Sequence, residues 1–196
     1  MIHFTIAIIF GLVLSMGSLV SSAHAMIVTE LELTGGSVNS SGRFNHVLDR
    51  LLGQDGTVSI GQYQAIGEIV PSVTKHKQTF SLFTSGLNGA QAPFATIDGF
   101  SISVDLSSLF FGVSRGDSLQ VWNIGGLAGG VFNPETSEFF LSWDHHSDMH
   151  KRAGHGTFFL KGKAEVAPIP IPASLVLYAS GMFGLGSWAW WRRRAA

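Results

Sequence analysis

Residues 99–106 read Gly-Phe-Ser-Ile-Ser-Val-Asp-Leu, a stretch in which apolar and polar side chains alternate. Successive side chains of a strand point to opposite faces, so Phe100, Ile102 and Val104 would share one face of this segment. The pattern predicts a half-buried β-strand that contributes these three side chains to the core.

Six further runs of alternating or apolar residues flank this stretch on both sides. They cover residues 28–34, 57–70, 78–84, 118–124, 138–143 and 157–163. The pairs between or beside them are typical of turns, namely Gly35-Gly36, Asp55-Gly56, Asn88-Gly89, Asp98-Gly99 and Gly129-Gly130. Short strands separated by such turns are typical of an antiparallel sandwich or barrel. We predict an all-β domain, an antiparallel β-sandwich or a jelly-roll-like fold.

One short helix is also predicted. Phe44, Val47, Leu48 and Leu51 follow the spacing of one helical face. Ser40 or Ser41 could cap its start and Gly53 its end. A helix of this length is unstable alone and must pack on the sheet.

Residues 1–25 have the pattern of a signal peptide. An apolar run from Ile6 to Leu14 is followed by small residues that end in Ala23-His24-Ala25, an A-x-A cleavage site. The start of the chain, Met1-Ile2-His3, lacks Lys and Arg, so an uncleaved N-terminal anchor is the alternative. We predict export and cleavage by signal peptidase after Ala25.

Residues 168–196 have the pattern of a membrane-spanning segment. Ala173–Trp191 are 19 residues without a charge, close to the length needed to cross a bilayer. Tryptophans near its end favour the membrane interface, and Arg192, Arg193 and Arg194 are expected to remain cytoplasmic. A buried C-terminal helix is the alternative, but three adjacent arginines are costly to bury.

The order of features in residues 168–196 resembles the PEP-CTERM sorting signal. Pro168, Pro170 and Pro172 precede Ala173-Ser174, Gly181 begins a glycine-spaced apolar stretch, and the arginines follow. Ile171 stands where the family's name has Glu, as in a variant with an aliphatic residue between the prolines. The resemblance implies a transient inner-membrane precursor that an exosortase cleaves near the prolines and releases to the cell surface or the exopolysaccharide matrix.

The segment between the two signals, residues 26–167, is the predicted ectodomain. Nine Lys and Arg against 13 Asp and Glu give it a net charge of −4, which argues against a nucleic-acid partner. The chain has no cysteine, so the domain must depend on its core without disulfides.

Asn133-Pro134-Glu135-Thr136 predicts a turn. With the following strand that ends in Ser142-Trp143, it resembles the last hairpin of many PEP-CTERM ectodomains.

Residues 144–155 hold the only cluster with metal-ligating chemistry. Imidazole and carboxylate groups bind zinc and other divalent metals, and the candidate ligands are Asp144, His145, His146, Asp148, His150 and His155. A hairpin between two strands would bring His145 and His155 together. The His-Glu-x-x-His pattern of metalloproteases is missing from the sequence, and a polar solvated loop is the alternative.

Two smaller features complete the candidates. Trp122 and Trp143 could stack on sugar rings or fill the core. Arg115-Gly116-Asp117 predicts a turn before the next strand.

The sequence therefore favours a non-enzymatic surface or matrix protein that has no cofactor. Such a protein would bind polysaccharide or build the extracellular layer. The alternative is a secreted metal-binding protein or metal-dependent hydrolase that uses the histidine loop.

Overall fold

The computed structural model describes residues 26–40, 44–146 and 155–167. These residues form eleven strands, one α-helix and a 3-10 turn at Leu87–Gly89. The elements are β1 (Met26–Ser40), α1 (Asn45–Leu52), β2 (Gly56–Ser59), β3 (Val73–Lys75), β4 (Gln78–Thr84), β5 (Phe94–Asp98), β6 (Ser101–Asp105), β7 (Leu109–Arg115), β8 (Ser118–Asn123), β9 (Leu127–Asn133), β10 (Glu138–His146) and β11 (His155–Ala167). The prediction of an all-β domain with one short helix is confirmed.

The larger sheet closes on itself. Its order is β11-β10-β9-β6-β5-β1-β2, and β11 also pairs with β1, which makes a closed ring of six strands with β2 attached to β1. The prediction of a sandwich or jelly roll is therefore wrong, and the domain is built around a barrel. The physical reason is the length of β1, whose 15 residues pair with β2, β5 and β11.

Glycines allow the backbones of β1 and β11 to meet where the ring closes. A Cβ on Gly162 would lie 1.8 Å from the carbonyl oxygen of Glu32, and a Cβ on Gly36 would lie 2.5 Å from that of Phe159. Real side chains cannot occupy such positions. Gly35-Gly36 is thus part of a strand that passes close to β11, and the turn predicted at this pair is wrong.

A second sheet of four strands has the order β3-β4-β7-β8. In its two central strands the residues on both faces are buried, so β7 reads Leu-Phe-Phe-Gly-Val-Ser-Arg with no alternation. One face contributes Phe80 and Phe111 to the core, and Phe83 stacks on Phe110 on the other. The prediction missed β7 because a strand buried on both faces has no polar positions to give a period of two.

The helix α1 is confirmed, with Leu48, Leu51 and Leu52 buried, and it packs on β1 and β4. The predicted serine cap is wrong at Ser40. The helix begins after Phe44, which makes no side-chain cap hydrogen bond, and the Ser40 hydroxyl donates to the side-chain oxygen of Asn45. Ser41 lies outside the described residues. Gly53 follows the helix as predicted, and its N–H donates to Asp49 O at 2.9 Å.

Three further differences concern individual segments. The run 57–70 is a strand only at β2, since the chain leaves the sheet after Ser59 and turns at Gly61 and Gly67, both with positive φ. Gly129-Gly130 lies inside β9 and is not a turn. Phe100 is exposed, whereas Ile102 and Val104 are buried as predicted.

The predicted segments 1–25 and 168–196, including the sorting signal and the apolar stretch 173–191, lie outside the described residues. Among the residues that the structure describes, no helix is long and apolar enough to cross a membrane.

Candidate functional site

An open groove with a volume of about 870 Å³ lies on the outer face of the ring. Strands β9, β10 and β11 form its floor, and the turns between β5 and β6 and between β9 and β10 contribute to its wall. We call it the outer groove. Its lining residues are Thr34, Phe100, Val131, Phe132, Asn133, Glu135, Glu138, Phe139, Phe140, Lys161, Gly162 and Lys163.

Three exposed apolar side chains form the centre of the outer groove. Phe100, Val131 and Phe140 are 75%, 64% and 45% exposed, although each is large enough to favour burial. Val131 is the cross-strand partner of Phe140, and the ring of Phe140 lies 5.9 Å from that of Phe159. Val131 and Phe140 therefore form an apolar surface open to solvent, and Phe100 lines the same groove.

The strand register places charged side chains around this apolar centre. Phe140 is paired with Lys161, and Glu138 with both Asn133 and Lys163. Cross-strand partners share a face with their Cβ atoms about 4.5–5.5 Å apart. The outer groove thus offers carboxylate acceptors and ammonium donors beside an apolar floor.

Phe100 enters the groove because of a turn. Gly99 has φ +57, which only glycine adopts without cost, and it reverses the chain between β5 and β6. Phe100 belongs to this turn, so the alternation of β6 does not apply to it. Its carbonyl oxygen accepts a hydrogen bond of 2.8 Å from the N–H of Phe132, which holds the turn against β9.

The turn at Asn133–Thr136 is confirmed as the connection between β9 and β10. The side-chain oxygen of Asn133 accepts a 2.9 Å hydrogen bond from the N–H of Glu135, which closes the turn locally. This turn places Glu135 at the edge of the outer groove. The turn itself is predictable from the sequence, whereas its place at the groove is not.

The tryptophans belong to the core and its margin. Trp143 is 4% exposed, its indole N–H donates to Ile124 O at 2.9 Å, and its ring stacks on Phe158 at 5.1 Å. Trp122 is partly buried and stacks on Phe111 at 6.0 Å. Of the two possibilities in the sequence, core packing is the one observed for Trp143, so its ring is not available to a sugar.

The candidate metal ligands are only partly described. His146 is the Cα partner of His155, and His145 that of Gly156, so the two ends of the hairpin meet as expected. Asp144 accepts a hydrogen bond of 2.6 Å from the Thr157 hydroxyl.

Within residues 26–40, 44–146 and 155–167, no three histidine or acidic side chains converge as metal ligands would. Asp148 and His150 lie outside the described residues. Zinc binding by this loop stays a prediction.

Sequence reasoning had no direct signal for the outer groove. The adjacent phenylalanines of β10, Phe139 and Phe140, were a partial clue, because in a strand they must face opposite sides. Only one of the two faces can be the core here, and Phe139 is the buried member. Comparisons with models of protein families, with curated proteins and with solved structures gave no significant match.

Proposed function

We propose that the chain is an exported, exosortase-sorted surface or extracellular-matrix protein that binds exopolysaccharide through the outer groove. The observation that carries the binding role is the exposed surface of Phe100, Val131 and Phe140 with paired charges beside it. The sorting role rests on the resemblance of residues 168–196 to the PEP-CTERM signal.

A sugar ring matches the chemistry of this groove. Its C–H face is apolar and packs on aromatic and aliphatic side chains, while its hydroxyl groups extend sideways. Glu138, Lys161 and Lys163 offer hydrogen-bond acceptors and donors at the edge of the apolar floor. An open groove suits a polymer, because the bound sugar need not be enclosed on all sides.

The binding role is tested with Phe100→Ala plus Phe140→Ala in the full-length protein, using exopolysaccharide isolated from the producing cells. We expect binding about tenfold weaker, since two stacking surfaces are removed. Phe94→Ala is the matched control, because Phe94 is 61% exposed but lies outside the groove. An equal loss of exopolysaccharide binding in the double variant and in Phe94→Ala, or no loss in either, would refute the role of the groove.

The sorting role is tested by the mass of the protein recovered from the cell surface. We expect a product that lacks residues 1–25 and the region after the prolines. Replacing Arg192, Arg193 and Arg194 with alanine should leave a precursor in the membrane. Surface protein that retains its full C-terminal mass would contradict the proposal.

A further inference from the structure

Two hairpin turns lie side by side at one end of the four-stranded sheet. The turn between β3 and β4 consists of His76 and Lys77, because Lys75 is paired with Gln78. Thr79 is paired with Ser114 of β7, so the adjoining Arg115 comes next to the β3–β4 turn. The strand register therefore brings Lys75, Lys77 and Arg115 together.

This end of the sheet is a concentration of positive charge on an acidic domain. Three of the six Lys and Arg residues that the structure describes are located here, and all three are exposed. On the two turns, Asp117 is the acidic residue that accompanies them. The segment 26–167 as a whole carries a net charge of −4. We call Lys75, His76, Lys77 and Arg115 the cationic end.

The backbone of the β3–β4 turn gives an independent indication of function. His76 and Lys77 have φ of 51° and 61°, in the left-handed region that side chains other than those of Gly, Asn and Asp disfavour. A two-residue hairpin turn of this kind is normally Asn-Gly. Two other hairpin turns of the domain have glycine at positive φ, at Gly99 and Gly116. The chain thus has basic side chains at two positions where Asn and Gly would form the turn with less backbone strain.

We infer that the cationic end is a binding site for a polysaccharide with repeated carboxylate groups. Exposed side chains bind a single anion weakly, because water screens each ion pair. A polymer with many charges contacts several cations at once and releases its counterions on binding. The polysaccharide class rests on the proposed extracellular function, whereas the affinity for a polyanion follows from the charges alone.

The decisive variant is His76→Asn plus Lys77→Gly in the full-length protein, purified in detergent, with polygalacturonate as the probe and neutral dextran as its control. Asn-Gly relaxes the turn, so the midpoint of thermal unfolding should stay equal or rise. Binding of polygalacturonate should weaken several-fold, which a folding defect would not explain in a variant of equal or greater stability.

A second variant, Lys75→Gln plus Lys77→Gln, removes two charges and should weaken binding by about tenfold or more. Arg50→Glu is its matched control, because it makes the same change in net charge at an exposed position of α1. Raising NaCl from about 50 mM to about 500 mM should weaken the wild type by roughly tenfold to a hundredfold.

Three outcomes would overturn the inference. They are unchanged binding in both cationic-end variants, equal binding of dextran, and tighter binding of double-stranded DNA than of polygalacturonate. The outcome does not depend on the outer groove. Phe100→Ala plus Phe140→Ala should still bind polygalacturonate in a salt-dependent manner, so a failure of the proposed function is distinguished from a failure of this inference.

Discussion

At the scale of the residue, two nearby positions differ in whether their side chains are buried or exposed. Phe100 and Ile102 belong to the same alternating stretch, yet Phe100 is 75% exposed and Ile102 is 1% exposed. The difference arises at Gly99, where a positive φ reverses the chain and removes Phe100 from the face of β6. Because of this turn, Phe100 lies in the outer groove and not in the core where it was predicted.

Alanine substitution at these two positions should have very different effects on the free energy of unfolding. Ile102→Ala should lower the free energy of unfolding by about 2–5 kcal/mol, because it leaves a cavity in a closely packed core. Phe100→Ala should change it by less than about 0.5 kcal/mol, as for exposed positions in general. Chemical unfolding of the full-length protein measures both. A large stability loss in Phe100→Ala would show that this ring is buried.

At the scale of the element, β9 shows why glycine pairs mislead. Gly129 and Gly130 read as a turn, but both lie in the middle of a strand. A Cβ on Gly130 would be 1.8 Å from the carbonyl oxygen of Phe140, whereas a Cβ on Gly129 would meet nothing within 4 Å. Gly130 is therefore required for the close approach of β9 to β10, and Gly129 is not.

The two glycines of β9 predict opposite effects of the same substitution. Gly130→Ala should destabilise the protein by about 1–3 kcal/mol, because its methyl group collides with backbone atoms. Gly129→Ala should stabilise it by about 0.4–1 kcal/mol, since alanine restricts the unfolded chain and fits the strand. Thermal or urea unfolding of the two variants in parallel measures the difference. Similar destabilisation by both would contradict this account of the strand.

At the scale of the whole molecule, the meeting of β1 and β11 decides the architecture. These strands are far apart in sequence, and their pairing closes six of the seven strands of the sheet into a ring. The Thr29 hydroxyl donates to Glu165 O at 3.3 Å near one end of this contact, and Gly162 faces Glu32 further along it. The outer groove depends on the closure, because both Thr34 of β1 and Lys163 of β11 line it.

Substitution of Gly162 should weaken the closure of the ring. Gly162→Ala is expected to cost about 3 kcal/mol, at the upper end of overpacking effects, because the collision is with the backbone of β1. Hydrogen exchange of amides in β1 and β11 should accelerate more than exchange in β4 and β7. Glu165→Ala, at an exposed position of the same strand, is the control. Uniform acceleration across both sheets would argue against a local effect on closure.

The sequence by itself determined the class of the domain, the position of α1, the turns at Asn88-Gly89, Asp98-Gly99 and Asn133–Thr136, and the burial of Ile102 and Val104. These features follow from local alternation and turn chemistry, which each segment carries alone. Only the tertiary structure decided that the sheet closes, that Gly35-Gly36 and Gly129-Gly130 are strand residues, and that Phe100 and Phe140 line one groove at the surface. Those outcomes depend on which strands pair and how closely their backbones approach. Such contacts join residues distant in sequence and leave no periodic pattern in any one segment.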